Sequence, residues 1–213
     1  MAMRARGRSC LRRSAALAAL AALVVGFASS AQALPPPGTH SVTVGCQDSV
    51  YGQMASGWRS PANGTLVAGP LAWPYLRHLA TDAGAPFPHP ASYAPTHGLA
   101  PSVKALVLVN AGTSVRVSIP ASERGRLSLD YTYIQTLRSL NNGEYLRVAD
   151  GASQVTFRAC ARGPGVGPTQ FAGEIIVAGA QCARIDIYTS AGNRPLVRQI
   201  PFGVPGRTCP AAG

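Results

Sequence analysis

The sequence predicts an all-β protein, an antiparallel two-sheet β-sandwich stapled by two disulfides. Short segments of alternating apolar and polar residues recur along the chain, and about 9–10 of them qualify as strands, as in sandwich folds. The turns between them are rich in the chain's 23 glycines and 18 prolines. Four of the five cysteines lie beyond residue 33. A closed β-barrel is the alternative architecture.

The first 33 residues have the three parts of a secretory signal peptide. Five arginines precede an apolar run at 15–28, and Ala31-Gln32-Ala33 matches the small-x-small cleavage pattern. The run is shorter than the roughly 20 apolar residues that span a bilayer. We expect cleavage near Ala33, general secretory rather than twin-arginine export, and a secreted or extracytoplasmic, envelope-associated protein without a transmembrane segment.

The mature chain then consists of a Pro-rich leader at 34–38 and a single domain at 39–213. Five of the 19 basic residues belong to the signal peptide, so 14 basic residues face 8 acidic ones and the net charge falls from +11 to +6. The basic residues are scattered and form no stripe of the kind that contacts phosphate backbones. We therefore expect no nucleic-acid partner.

Two strands are predicted in the first half of the domain. Segment 39–46 alternates, with Val42 and Val44 on one face. Segment 65–73 is interrupted by Gly69-Pro70, which favours an edge strand or a bulge. The polar stretch between them is a predicted loop with a short helical turn. Residues 74–101 form a long irregular loop, a kind that is often functional.

The second half of the domain is more regular. Segment 114–119 alternates strictly, with Arg116 pointing outward. Asp150-Gly151 lies between two apolar segments and predicts a hairpin turn. Residues 132–140 are a predicted short helix. The other predicted strands are 103–109, 127–131, 145–149, 154–160, 170–178, 184–189 and 196–202.

The even number of mature cysteines in an exported chain predicts two disulfides among Cys46, Cys160, Cys182 and Cys209. Three pairings are possible. We favour Cys160–Cys182, which would join the ends of two sequential strands, with Cys46–Cys209 tying the first strand to the C-terminus. No Cys-x-x-Cys spacing supports a metal site or a catalytic thiol.

Motifs of common catalytic sites are absent from the sequence. It has no Gly-x-Ser-x-Gly, His-Glu-x-x-His, phosphate-loop or dinucleotide motif. Three loop histidines, His78, His89 and His97, are weak metal candidates because their spacing matches no metal motif. The sequence identifies no catalytic residue. We therefore expect no cofactor, and we favour a non-enzymatic protein over an enzyme.

Two carboxylates, Asp130 and Asp186, fall on outward faces of predicted strands. We expect them to form cross-strand surface ion pairs with Arg116, Arg158 or Arg184.

Aromatic residues supply the best candidate binding surface. Exposed aromatic rings stack on sugars and partner proteins, although large aromatics are more often buried. The alternative is that they cap an open end of the sandwich as part of its core. The candidates are Trp58, Trp73, Tyr75, Phe87 and Tyr93.

The chain from residue 101 onward carries a set of short strings that together form a signature. They are Ile119-Pro120-Ala121-Ser122-Glu123-Arg124, Val148-Ala149-Asp150-Gly151, Val155-Thr156-Phe157-Arg158-Ala159-Cys160, Thr169-Gln170-Phe171-Ala172-Gly173 and Val177-Ala178-Gly179-Ala180-Gln181-Cys182. This half of the chain resembles a family of exported actinobacterial β-sandwich proteins of uncharacterised function. The resemblance implies export and a Cys160–Cys182 pair, and it implies no activity. Glu174 stands where the family pattern has a small residue.

The function expected from the sequence is non-catalytic binding at the cell envelope. The partner would be a wall polymer, a glycan or another envelope protein. Two alternatives remain open, a secreted hydrolase of wall material that gathers Asp82 with the loop histidines, and an extracytoplasmic metal-handling protein.

Overall fold

A computed structural model describes residues 40–50, 57–77, 100–132, 145–161, 167–190, 192–204 and 209 of the chain. All of them belong to one compact unit, which spans Pro35–Gly213. The described strands are β1 (Ser41–Val44), β2 (Leu66–Ala68), β3 (Leu71–Trp73), β4 (Ala100–Lys104), β5 (Val107–Val109), β6 (Ser114–Ser118), β7 (Leu127–Asp130), β8 (Tyr145–Leu146), β9 (Gln154–Arg158), β10 (Thr169–Phe171), β11 (Glu174–Val177), β12 (Gln181–Thr189) and β13 (Leu196–Phe202). Short 3-10 helices cover Cys46–Asp48, Pro61–Asn63 and Val148–Asp150.

The strands form three sheets. The five-stranded sheet has the order β1-β9-β6-β12-β13, and the two four-stranded sheets have the orders β10-β5-β3-β2 and β7-β11-β4-β8. Every pairing is antiparallel except that of β1 with β9, which is parallel. The prediction of a mostly antiparallel all-β fold is confirmed.

The two four-stranded sheets are joined by one bent pair of chain segments, in which β4 is followed by β5 and its partner β11 is preceded by β10. Lys104 lies opposite Glu174 on one side of the bend, and Val107 lies opposite Phe171 on the other, so the register is unchanged across it. The amide of Ala105 donates to the carbonyl of Gly173 at 2.8 Å within the gap. The predicted strands 103–109 and 170–178 therefore each break once, at the bend.

The core lies between the five-stranded sheet and this bent pair of sheets. Phe157 of β9 contacts the ring of Tyr131 edge-on, with centroids 4.9 Å apart, and the ring of Phe171 at 5.2 Å. One continuous cluster of buried side chains draws members from all three sheets. Two layers packed face to face make a β-sandwich, as the sequence predicts.

Three polar groups inside this core form a chain of hydrogen bonds. Trp73 Nε1 donates to the hydroxyl of Tyr131 at 3.1 Å, and that hydroxyl donates to the carbonyl of Ala105 at 2.6 Å. Burial raises the pKa of Tyr131, so the phenol stays protonated and available as a donor. Gly173 is required here because a Cβ at this position would collide with the Tyr131 ring.

Several predicted strands are confirmed. Segment 114–119 forms β6, with Val115 and Val117 buried and Arg116 exposed. Segment 196–202 coincides with β13. The burial of Ile185 and Ile187 in β12 also matches the predicted alternation. Apart from Thr132, the predicted helix at 132–140 lies outside the described residues, as does most of the loop at 74–101.

The predicted roles of two glycine-containing pairs, Gly69-Pro70 and Asp150-Gly151, were wrong. Gly69-Pro70 does not interrupt one edge strand; it is the two-residue turn between β2 and β3, with Gly69 at φ 57. Asp150-Gly151 does not close a hairpin, because β8 pairs with β4 while β9 pairs with β6 and β1. Asp150 instead accepts from the amide of Arg147 at 3.0 Å and closes a 3-10 turn.

The favoured disulfide pairing was also wrong. The bonds join Cys46 to Cys160 and Cys182 to Cys209. Because β1 and β9 are parallel neighbours, the chain leaves both strands at the same end of the sheet, which brings the Cys46 and Cys160 Cα atoms to 4.7 Å. Strand β6 lies between β9 and β12, so Cys160 and Cys182 are not on neighbouring strands.

Candidate functional site

The outer face of the five-stranded sheet, the side that points away from the core, is polar. Alternation in β6 buries Val115 and Val117 and turns Ser114, Arg116 and Ser118 outward. Strand β9 repeats this pattern and turns outward Gln154, Thr156 and Arg158. The outer face is therefore built from side chains on rigid, hydrogen-bonded strands, which hold their positions better than loop residues do.

A groove of about 430 Å³ opens on this outer face. This volume lies within the range of roughly 300–1,000 Å³ that is usual for ligand sites. Strands β6, β9 and β12 and the turn after β12 contribute its walls. The lining residues are Ser114, Arg116, Thr156, Tyr188, Thr189, Ser190, Gly192 and Asn193.

Arg116 and Tyr188 form a cation–π contact in the groove. They lie directly opposite each other in the β6–β12 register. The guanidinium carbon of Arg116 is 4.2 Å from the centroid of the Tyr188 ring. This cation–π contact fixes the direction of the guanidinium, whose N–H groups have no carboxylate within ion-pair distance among the described residues.

The outer face carries excess positive charge. Its five strands present three outward arginines, Arg116, Arg158 and Arg184, against a single outward acid, Asp186. Arg184 donates to Asp186 at 2.8 Å, and this bond raises the pKa of Arg184. The expected ion pair of Asp186 with Arg184 is present, but it joins two residues of the same strand, β12, and does not cross between strands as predicted. Among the described residues, no carboxylate forms an ion pair with Arg116 or Arg158.

The five aromatic candidates do not form one surface in the described residues. Trp73 is fully buried, so it belongs to the core and not to a binding surface. Trp58 is partly buried beneath the guanidinium of Arg59, at 5.1 Å. Tyr75 is 54% exposed and has a φ of 59, an unusual backbone angle for a bulky residue.

Phe87 and Tyr93, the remaining aromatic candidates, lie outside the described residues, as do Asp82 and the histidines His78, His89 and His97. In the part of the chain that the structure describes, no three or more His, Cys, Asp and Glu side chains come together as a metal site would require. The search for a membrane-spanning helix, over the same residues, finds none of sufficient length and apolarity.

The prediction for Asp130 was wrong, because this carboxyl is fully buried instead of outward. It lies opposite Glu174, which is 2% exposed, between β7 and β11. Burial, followed by the charges of Glu174 and Asp150, raises the pKa of Asp130 to about 7, although the backbone amide of Thr132 acts in the opposite direction. Neither oxygen of Asp130 meets hydrogen-bond geometry with any described residue.

The two carboxyls have the residue types of a catalytic acid–base pair, yet their burial closes them to substrate. The outward appearance of Asp130 in the sequence came from assigning one face of β7 to solvent. All four residues of β7 are buried.

Tyr188 and the turn residues Ser190 and Asn193 were not recognised as site residues in the sequence. The alternation of 184–189 does place Tyr188 on the same side as Asp186, which is the signal that could have identified it. What the sequence lacks is the register, because only the pairing of β12 with β6 sets Tyr188 against Arg116.

Comparisons with known proteins give no relative for the chain. No protein-family model matches it, and neither a curated protein nor a solved structure shows significant similarity to it.

Proposed function

We propose that this protein is an exported, non-catalytic β-sandwich that binds a component of the cell envelope through the outer face of its five-stranded sheet. The observation that carries the proposal is the open polar groove on that face. The signal-peptide pattern that ends at Ala33 and the two disulfides support an extracytoplasmic location.

The groove is suited to binding because its walls are preorganised. Its side chains come from three neighbouring strands, β9, β6 and β12, whose ladders fix their spacing. The Cys46–Cys160 disulfide ties the ends of β1 and β9, and the Cys182–Cys209 disulfide ties β12 to the C-terminal segment. A ligand that meets preformed groups loses less free energy to the ordering of the site.

The chemistry of the lining also favours binding over catalysis. The groove residues supply hydroxyl, amide and guanidinium groups, and they include no histidine or carboxylate. A hydroxyl such as that of Ser114 needs an adjacent base to act as a nucleophile. The lining therefore offers hydrogen bonds and positive charge to a ligand without a group that would take up a proton.

Retention on isolated cell walls tests this proposal. The oxidised protein, produced from the full chain, is mixed with walls of the producing organism, and the bound fraction is measured at low and at high salt. We expect retention at low salt, with reduced and alkylated protein as the unfolded control. A protein that stays in solution under both conditions would exclude wall binding.

A further inference from the structure

We infer that the groove at Arg116 binds an anionic glycan, with the Arg116 guanidinium on a carboxylate or phosphate group of the glycan and the hydroxyl and amide side chains on its sugar hydroxyls. This inference rests on the proposed function and names the ligand class of the same groove. It is carried by the two arginines that pair with no carboxylate among the described residues, by the hydroxyl-rich lining and by the exposure of the sheet face that holds them.

The charge of the site selects an anion. Arg158 lies directly opposite Ser114 in the β6–β9 register, two pairs along from the Arg116–Thr156 pair and therefore next to it on the same face of the sheet. Diagonal neighbours in such a ladder have Cβ atoms about 7–8 Å apart, so both guanidinium groups can reach one acidic repeating unit. Arginine binds carboxylate and phosphate through paired N–H donors, a geometry that its planar group fixes in advance.

The other lining residues favour a sugar ligand over a protein partner. Protein interfaces are anchored by buried aromatic and aliphatic side chains at their centre. The groove offers instead the hydroxyls of Ser114, Thr156, Thr189 and Ser190 and the amide of Asn193. These groups both donate and accept hydrogen bonds, as sugar hydroxyls do.

Tyr188 acts as a positioning residue for Arg116. Its ring lies under the guanidinium at 4.2 Å, which limits the rotamers of a side chain that is otherwise exposed. An arginine held in place loses less conformational entropy when it binds an anion. The ring itself is needed for this contact, and the phenol hydroxyl is not.

Binding to two forms of one polymer tests the inference. The probes are oligogalacturonate, which carries a carboxylate on each sugar, and its methyl ester, which has the same backbone without the charge. A phosphate-bearing mannan in a parallel titration distinguishes phosphate from carboxylate as the preferred anion. Affinities are measured by calorimetry on the oxidised protein produced from the full chain.

We expect an anionic form to bind at least tenfold more tightly than the methyl ester, and Arg116→Gln to remove about tenfold of that affinity, as loss of a charge-assisted hydrogen bond does. Tyr188→Leu should weaken binding, and Tyr188→Phe should preserve it.

The matched control is Arg126→Gln, which removes the same charge from an exposed arginine at a distant position. The carbonyl of Arg126 accepts from the side chain of Gln181 at the start of β12, and Tyr188 lies seven residues along that strand, about 23 Å away at 3.3 Å per residue. This variant should bind as the unmodified protein does.

Two results would overturn the inference while leaving envelope binding intact. One is retention on walls with equal affinity for the acidic and methyl-esterified oligomers. The other is an equal loss of affinity in Arg116→Gln and Arg126→Gln, which would indicate general charge attraction. Capture of an envelope protein with no affinity for any glycan would assign the face to a different class of partner. Absence of retention on walls and of binding to every glycan would contradict the proposed function itself.

Discussion

At the residue scale, Asp130 shows how strongly position in the sandwich controls chemistry. The carboxyl lies in β7 under the 3-10 turn at Val148–Asp150, with Glu174 directly opposite on β11. Its charged form is disfavoured by burial first and by the neighbouring acids second, which raises its pKa to about 7. The Arg147 guanidinium is engaged by Asp150, at 2.7 Å, in a pair that lies toward solvent.

The raised pKa of Asp130 predicts a pH dependence of folding stability. Below its unfolded value of 3.8 the carboxyl is protonated in both states, so its contribution to stability is fully present. Between 3.8 and about 7 the unfolded chain ionises this carboxyl while the folded protein keeps it protonated, so the contribution falls as pH rises and is fully lost above about 7.

Asp130→Asn should therefore raise the free energy of unfolding at pH 8 by about 2–4 kcal/mol relative to its effect at pH 4, since one pKa unit corresponds to about 1.4 kcal/mol. Urea unfolding at the two pH values measures the difference, with Glu123→Gln as the carboxyl-to-amide control. An equal effect of Asp130→Asn at both pH values would show that the carboxyl is not perturbed.

At the element scale, the Cys46–Cys160 bond secures the edge strand β1. This strand has four residues, and among the described strands it pairs with β9 alone, in the parallel arrangement that is slightly less stable per residue. The bond joins residues 114 apart in sequence, whereas Cys182–Cys209 spans 27. Closing the longer loop restricts the unfolded chain more.

Removal of the two disulfides should have unequal effects. In the loop-entropy model, the double change Cys46→Ser and Cys160→Ser costs about 5 kcal/mol of unfolding free energy, and Cys182→Ser with Cys209→Ser costs about 3.5 kcal/mol. Chemical denaturation measures both, and amide exchange at Val42 and Val44 should accelerate only in the first variant. Non-reducing peptide mapping that joined Cys160 to Cys182 would disprove this connectivity.

The sequence predicted the positions of individual strands better than it predicted which strands pair with each other. Strict alternation was enough to find β6, because one face of this strand meets the core and the other does not. The parallel β1–β9 pair joins segments more than 100 residues apart, and no local pattern encodes it. The disulfide pairing depended on that non-local contact, so it failed with it.

The candidate site was predictable in part for the same reason. The outward direction of Arg116 follows from alternation alone, whereas its contact with Tyr188 requires the β6–β12 register. The aromatic residues were a poorer guide, since Trp73 fills the core and donates to Tyr131. Side chains of β7 were misassigned because both of its faces are covered.

At the scale of the whole molecule, the residues that stabilise the sandwich are separate from those of the proposed binding face. Burial of apolar side chains and the Trp73–Tyr131 hydrogen bond occupy the space between the layers. The outer face of the five-stranded sheet then carries polar side chains that the fold does not need for its core. Because this face is held by ladders and disulfides, it can present Arg116 and Arg158, which pair with no carboxylate in the described part of the chain, without local rearrangement.

The central claim is that this outer face is the binding surface, and nuclear magnetic resonance of the labelled, oxidised protein locates the surface directly. On addition of oligogalacturonate, the account predicts amide shift changes concentrated in 114–118, 154–158 and 188–193, with little change in Arg116→Gln. Changes confined to the hairpin and turns at 57–77, where Trp58 and Tyr75 lie, would contradict it.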